Sequence, residues 1–249
     1  MDYSYLVDAV LIIGSEMLRC GGEISRVEDT INRILKAYNV KGDIFVITSA
    51  IIITAHAKGR TYTQAKRIYY THPDLNRLHL LNSLSRRICS CPLSPAETDK
   101  YIKKILSSPC YTLKTRIIIY SLTALSVTLY LGGSIKDSII SSLIAPVLIY
   151  LTAKGESTGI NPFLVTLFSS FVTGAIAVCT VNSDIGSSID NIITGNIMLI
   201  IPGAAITNSL RDVIEGDTIS GLLRFSEALI KAFALTLGFV SAAVYTGGF

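Results

Sequence analysis

Five apolar stretches follow one another in the second half of this chain, at about 117–133, 138–153, 162–181, 191–209 and 225–245. A helix needs about 20 apolar residues to cross a hydrocarbon core of roughly 30 Å, and each stretch reaches or approaches that length. Five consecutive segments of this kind rule out an ordinary water-soluble domain over the region. Mean hydropathy is +0.51 and only 16% of residues are charged, against about 25% in soluble domains. Charge is also unevenly placed. Residues 1–116 hold 17 Lys and Arg against 10 Asp and Glu, and the remainder holds 5 against 8. The pattern predicts a cytosolic α+β domain over 1–115 joined to an α-helical multi-pass membrane bundle of five spans over 116–249.

The charges that flank the stretches predict their orientation. Lys103, Lys104, Lys114 and Arg116 precede the first, Lys154 lies between the second and third, and Arg211 and Arg224 lie between the fourth and fifth. The opposite side offers Lys136 beside Asp137, then Asp184 and Asp190. This fits a cytosolic N-terminus and a C-terminus on the far side. The first apolar segment contains Asp8 and Glu16 and lacks the basic start of a signal peptide. Five cysteines, without framework spacing, read as free thiols.

In the front half, Leu6, Val10, Ile13 and Met17 recur at helical spacing up to Cys20-Gly21-Gly22. Ser25 and Glu28 have the spacing of a capping box, opening a second helix with Ile24, Val27, Ile31, Ile34 and Tyr38 on its buried stripe. The β-branched run from Asp43 predicts one strand bent near Ser49. A turn at Lys58-Gly59 and a second strand from Arg60 to about Tyr70 follow. His72-Pro73-Asp74 breaks the chain before a helix from Leu75 to about Ile88, and another follows Pro95 to near Leu106.

The polar chemistry concentrates between Gly195 and Ala228. Pro202 removes an amide donor and Gly203 loosens the backbone, so the fourth stretch should kink or unwind there. Broken helices present backbone polar groups to solutes in many transporters, and a kink without a ligand is the alternative. Thr207, Asn208, Arg211, Asp212 and Glu215 share one helical face, and Arg224, Glu227 and Lys231 share another, with Glu227 spaced to pair with Lys231. Lys231 either lies deep in the hydrocarbon or snorkels to its edge. Arg211 and Arg224 are candidates for a substrate carboxylate, with topology anchoring as the alternative, and Asn196, Thr207 and Asn208 for neutral hydrogen bonds. Asp212, Asp217 and Glu227 are candidate proton carriers, unless they are solvated loop acids.

The stretch from Asn191 to Gly238, with its Pro-Gly, Thr-Asn-Ser-Leu-Arg-Asp, Gly-Asp-Thr-Ile-Ser-Gly and Arg-Phe-Ser-Glu-Ala elements, resembles the threonine/serine exporter family. The segment Cys20-Gly-Gly-Glu-Ile-Ser-Arg-Val-Glu-Asp-Thr30 is similar to that family's N-terminal motif, which marks Arg26, Glu28 and Asp29 as motif residues of the cytosolic domain. The resemblance implies proton-driven export of small polar metabolites, either amino acids or short dicarboxylic acids, across the inner cell membrane. It implies no cofactor. Because the chain ends at Phe249, it is similar to the larger subunit of a two-component form, whose partner is a separate small membrane protein. Further expected partners are the lipid bilayer, the small-molecule substrate and, as an open possibility, a second copy of the chain. Competing readings are a non-transporting regulatory or scaffold subunit and a membrane-anchored hydrolase. His56, His72 and His79 have no metal spacing, so no metal site is expected, and no catalytic motif stands out. The dispersed basic excess argues for a membrane-facing surface and against nucleic acid.

Overall fold

A computed structural model describes residues 3–69, 73–108 and 111–247, the side chain of Glu156 excepted. The expected strand end at Tyr70 and the break at His72 lie outside these residues. Ten helices and three strands are described, in two compact units: Met1–Cys110 with Ala204–Phe225, and Tyr111–Gly203 with Ser226–Phe249. Residues 204–225, which the sequence places with the apolar half, thus cluster with the front of the chain.

In the first unit, α1 (Tyr3–Arg19) and α2 (Ile24–Ala37) precede strands β1 (Lys41–Ile47), β2 (Ala50–Ala57) and β3 (Arg60–Arg67); α3 (Leu75–Ser90) and α4 (Pro95–Leu106) follow. Helix α1 is buried on most sides, through Val7, Val10, Ile13, Met17 and Leu18, whereas α2 buries one stripe of Ile24, Val27, Ile31, Ile34 and Leu35. The antiparallel sheet has the order β1-β2-β3. Its inner face brings Val46, Ile51, Ile53, Ala55 and Ala57 into the core, while Phe45, Ile52 and His56 face outward. Side chains alternate across a strand, so slipping this register by one residue would expose the inner set.

The single bent strand is in fact a tight hairpin. Ile47 pairs with Ala50, leaving Thr48-Ser49 as the turn. No Gly, Pro or Asn marks that turn, and so the apolar run reads as continuous. At Lys58-Gly59 the expected turn is present, with φ of 49° and 74°, the positive pair that matches the twist of adjoining strands. The capping box is also elsewhere than expected. No side chain from α2's own N-cap, Glu23, caps that helix. The reciprocal Ser-Glu bonds occur on α4, between Ser94 and Glu97.

The second unit holds α5 (Leu113–Tyr130), α6 (Ile135–Ser157), α7 (Pro162–Asn182), α8 (Ile189–Ile197) and the part of α10 (Thr218–Thr246) from Ser226 onward. Among the described residues, three helices are long and apolar enough to cross a membrane, at Ile135–Gly155, Pro162–Asn182 and Thr218–Thr246. The expected five spans are thus not confirmed: only the second, third and fifth stretches form helices of that length and composition. The first stretch is the apolar part of an 18-residue helix with Lys114 and Arg116 in its opening turn. The fourth is divided into α8 and α9 (Gly203–Ile214) by residues 198–202.

The division has a local cause. Leu199 and Ile200 donate to carbonyls three residues back, on Asn196 and Ile197, tightening the helix end. Pro202 then has no amide to continue the ladder. Elsewhere in this unit, Asp137 is 1% exposed and ties the start of α6 to the segment before α8. It accepts from Ser134 Oγ at 2.7 Å and from the Ser187 and Ser188 amides at 2.7 and 3.2 Å.

A candidate functional site where two motifs meet

The loop from α1 to α2 is set by its glycines. Gly21 adopts φ +87°, its amide donates to Leu18 O at 2.9 Å, and the Gly22 amide donates to Met17 O at 2.9 Å. These two bonds and the left-handed residue make a Schellman termination. A Cβ on Gly22 would stand 2.9 Å from that same Met17 oxygen. Chain reversal here leaves the carbonyls of Gly21 and Gly22 and the first amides of α2 without helical partners.

Helix α9 and the first turns of α10 supply those partners. Asn208 Nδ2 donates to Gly21 O at 3.3 Å and Arg224 Nη2 to Gly22 O at 3.3 Å. The Ile24 amide donates to Asp212 Oδ1 at 3.4 Å, so a carboxylate 188 residues away caps α2. Ser25 donates to Glu215, and Arg211 pairs with Glu23. The expected Ser25–Glu28 box is therefore replaced by bonds to other elements, with Glu28 Oε1 accepting from the Val46 amide at 3.2 Å.

At the centre of this clasp, Arg224 Nη1 stands 2.9 Å from Asp212 Oδ2, with side-chain exposures of 11% and 0%. The distance is that of an ion pair, yet neither atom has an aligned hydrogen bond among the described residues. Burial pushes the Asp212 carboxyl above its usual range; the Arg224 guanidinium and the Ile24 amide oppose this without cancelling it, and the charges of Asp217 and Glu23 reinforce it. Burial and then Glu215 raise Asp217 as well. Glu28 is raised first by burial, with a smaller contribution from Asp217. A buried acid that holds its proton more tightly than usual, beside a fixed guanidinium, can exchange a proton against a charged ligand.

The remaining sequence candidates are distributed as follows. Thr207 is exposed on α9, and Gly203 opens that helix with no atom within 4 Å of the place a Cβ would take. Pro202 is half-buried. Arg26 pairs with the clasp residue Glu23 at 3.1 Å and so sits at its exposed edge, whereas Asp29 pairs with Arg33 at 2.7 Å and does not join it. Asn196 belongs to the second unit, where it is 1% exposed. Glu227 is exposed and Lys231 half-buried in that unit's part of α10. Among the described ion pairs they do not join each other, contrary to their four-residue spacing. Sequence reasoning misses the carbonyls of Gly21 and Gly22, which are invisible to side-chain chemistry, and Glu23 and Ser25 as clasp members. The Gly-Gly pair after an apolar helix is the available signal.

The two segments that meet in the clasp are those that carry the family resemblance. The ThrE family model, "Putative threonine/serine exporter", matches residues 8–245. The chain belongs to the ThrE family. No curated protein and no solved structure matches it. ThrE membership and the apolar helices fit a membrane transporter, and a transporter family favours transport over catalysis.

Proposed function

We propose that this chain is a secondary-transporter subunit that exports threonine- or serine-like amino acids, or short dicarboxylates, in exchange for protons. It works in the inner cell membrane with its N-terminus in the cytosol, together with a separate small membrane subunit. The observation that carries this reading is the buried, misaligned Asp212–Arg224 pair. A zwitterionic amino acid can replace it charge for charge, with its carboxylate on Arg224 and its ammonium on Asp212. A proton on Asp212 competes with the ammonium, and that competition is the logic of an exchanger. Arg211 offers a second cation when it leaves Glu23. Entry of the ligand requires release of the Gly22 and Ile24 contacts, which makes the α1–α2 loop the gate.

The test is efflux of labelled threonine from proteoliposomes holding both subunits, with variants compared at equal protein. Arg224→Gln should raise the KM for threonine at least tenfold, and Arg224→Lys, which keeps the charge but loses the fork, should fall between it and the wild type. A wild-type KM in both variants would remove Arg224 from the substrate path and favour a scaffold role for the clasp.

A further inference from the structure

A second polar centre lies wholly within the other unit, at the end of α8. Asn196 Nδ2 donates to Ser141 Oγ at 3.0 Å and to Ile192 O at 2.9 Å. With both amide hydrogens used, the orientation of the amide is fixed and its oxygen is the free end. That oxygen has no partner among the described residues, and neither has Thr128 Oγ1. Asn196 and Thr128 are 1% and 0% exposed. An unmet polar atom at such depth is costly, so two of them on the residues that pack at one turn of α8 call for a ligand.

Gly195 shows how tightly the groups converge. A Cβ there would collide with Thr128 Oγ1 and stand 2.8 Å from Ser141 Oγ. Thr128 Oγ1 from α5 and Ser141 Oγ from α6 therefore both press on the turn of α8 that carries Asn196, whose amide nitrogen is bonded to that same Ser141 Oγ. That turn is the last before the break, where Leu199 bonds to Asn196 O and not to the Gly195 carbonyl one residue earlier. Helix C-terminal ends carry partial negative charge, and in broken transporter helices such ends coordinate cations.

We propose that Thr128 Oγ1, Ser141 Oγ and Asn196 Oδ1, with the end of α8, hold a sodium ion. All donors are neutral oxygens, the hard ligands suited to a hard cation. No carboxylate belongs to the set, so the charge of a divalent ion would go uncompensated. The site is independent of the Asp212 exchange and adds a second ion to the protein's repertoire.

The experiment is the thermal midpoint of the purified full-length protein in detergent, titrated with NaCl or with choline chloride at constant ionic strength and pH. Wild type should show a saturable rise specific to sodium. Thr128→Val, which keeps the shape and removes the oxygen, should need at least tenfold more sodium for half-saturation. Asn196→Leu should lose the response, and Asn196→Asp, which restores an oxygen and adds charge, should keep or strengthen it. Equal curves in sodium and choline for the wild type, as a bound water would give, overturn the proposal. So does an unchanged sodium response in Thr128→Val. Transport is not the readout, so this result stands apart from the outcome of the efflux assay.

Discussion

Asp212 closes the N-terminus of α2 in place of that helix's own capping residue, accepting the Ile24 amide at 3.4 Å while its second oxygen faces Arg224 at 2.9 Å. One buried carboxylate thus terminates a helix near the start of the chain and anchors the cation that opens α10. Residues 204–225 cluster with the front unit, and this cap is part of its packing.

Removing one member of the pair should be costly. Asp212→Ala leaves Arg224 buried without a counter-charge, a situation worth about 3–5 kcal/mol. The double variant Asp212→Leu with Arg224→Met should recover much of that loss. Denaturant titration of the purified protein in detergent checks both; equal destabilisation in single and double variants would show that the ion pair is not the issue.

The α1–α2 loop should tolerate no side chain at Gly22. A methyl there meets the Met17 carbonyl at 2.9 Å, and backbone cannot yield as a side chain can. Gly21→Ala must hold φ +87°, at a cost of about 1–2 kcal/mol. Both should lower the thermal midpoint, and Gly22→Ala should also shift the Gly22 carbonyl away from Arg224.

Glu28 gives a pH test. Its folded-state pKa is raised from 4.5 by burial, so between 4.5 and the raised value the folded state binds more protons than the unfolded one. Stability from this group falls as pH rises through that window and is fully recovered only below it. Glu28→Gln should flatten the pH dependence of the midpoint on the acid side of neutrality. An unchanged slope would mean that the burial of Glu28 does not control its titration.

Two glycines of the apolar half should differ sharply. A methyl on Gly238 would stand 2.5 Å from the Leu167 carbonyl and also strike Ser170, whereas Gly203 has open space. Gly238→Ala should reduce the yield of folded protein several-fold, and Gly203→Ala should leave it unchanged, as read by size-exclusion chromatography in detergent.

Periodicity makes much of the front unit legible. The stripes Leu6–Met17 and Ile24–Ile34 and the turn at Lys58-Gly59 all follow from residue type, because burial and positive φ act locally. The hairpin at Thr48-Ser49 is hidden, since neither residue carries a turn signature and the apolar run continues through it. The Ser25–Glu28 spacing misleads for the opposite reason: a local pattern is outcompeted by Glu215, in the turn after α9, and by the Val46 amide of β1. Pro202 announces the break in the fourth stretch, but not that the residues after it cluster with the front of the chain. The pairing of Asp212 with Arg224 can be suspected from charge; their engagement with the Gly22 carbonyl and the Ile24 amide cannot, because backbone groups leave no trace in side-chain patterns.

The most direct measurement is proton movement driven by threonine. Proteoliposomes with both subunits are loaded with threonine and a pH-sensitive dye, diluted into threonine-free buffer, and compared for wild type and Asp212→Asn. Wild type should acidify the lumen as threonine leaves, and Asp212→Asn should release threonine more slowly with no acidification. Acidification per threonine at the wild-type ratio in Asp212→Asn would contradict the assignment of the exchanged proton to Asp212.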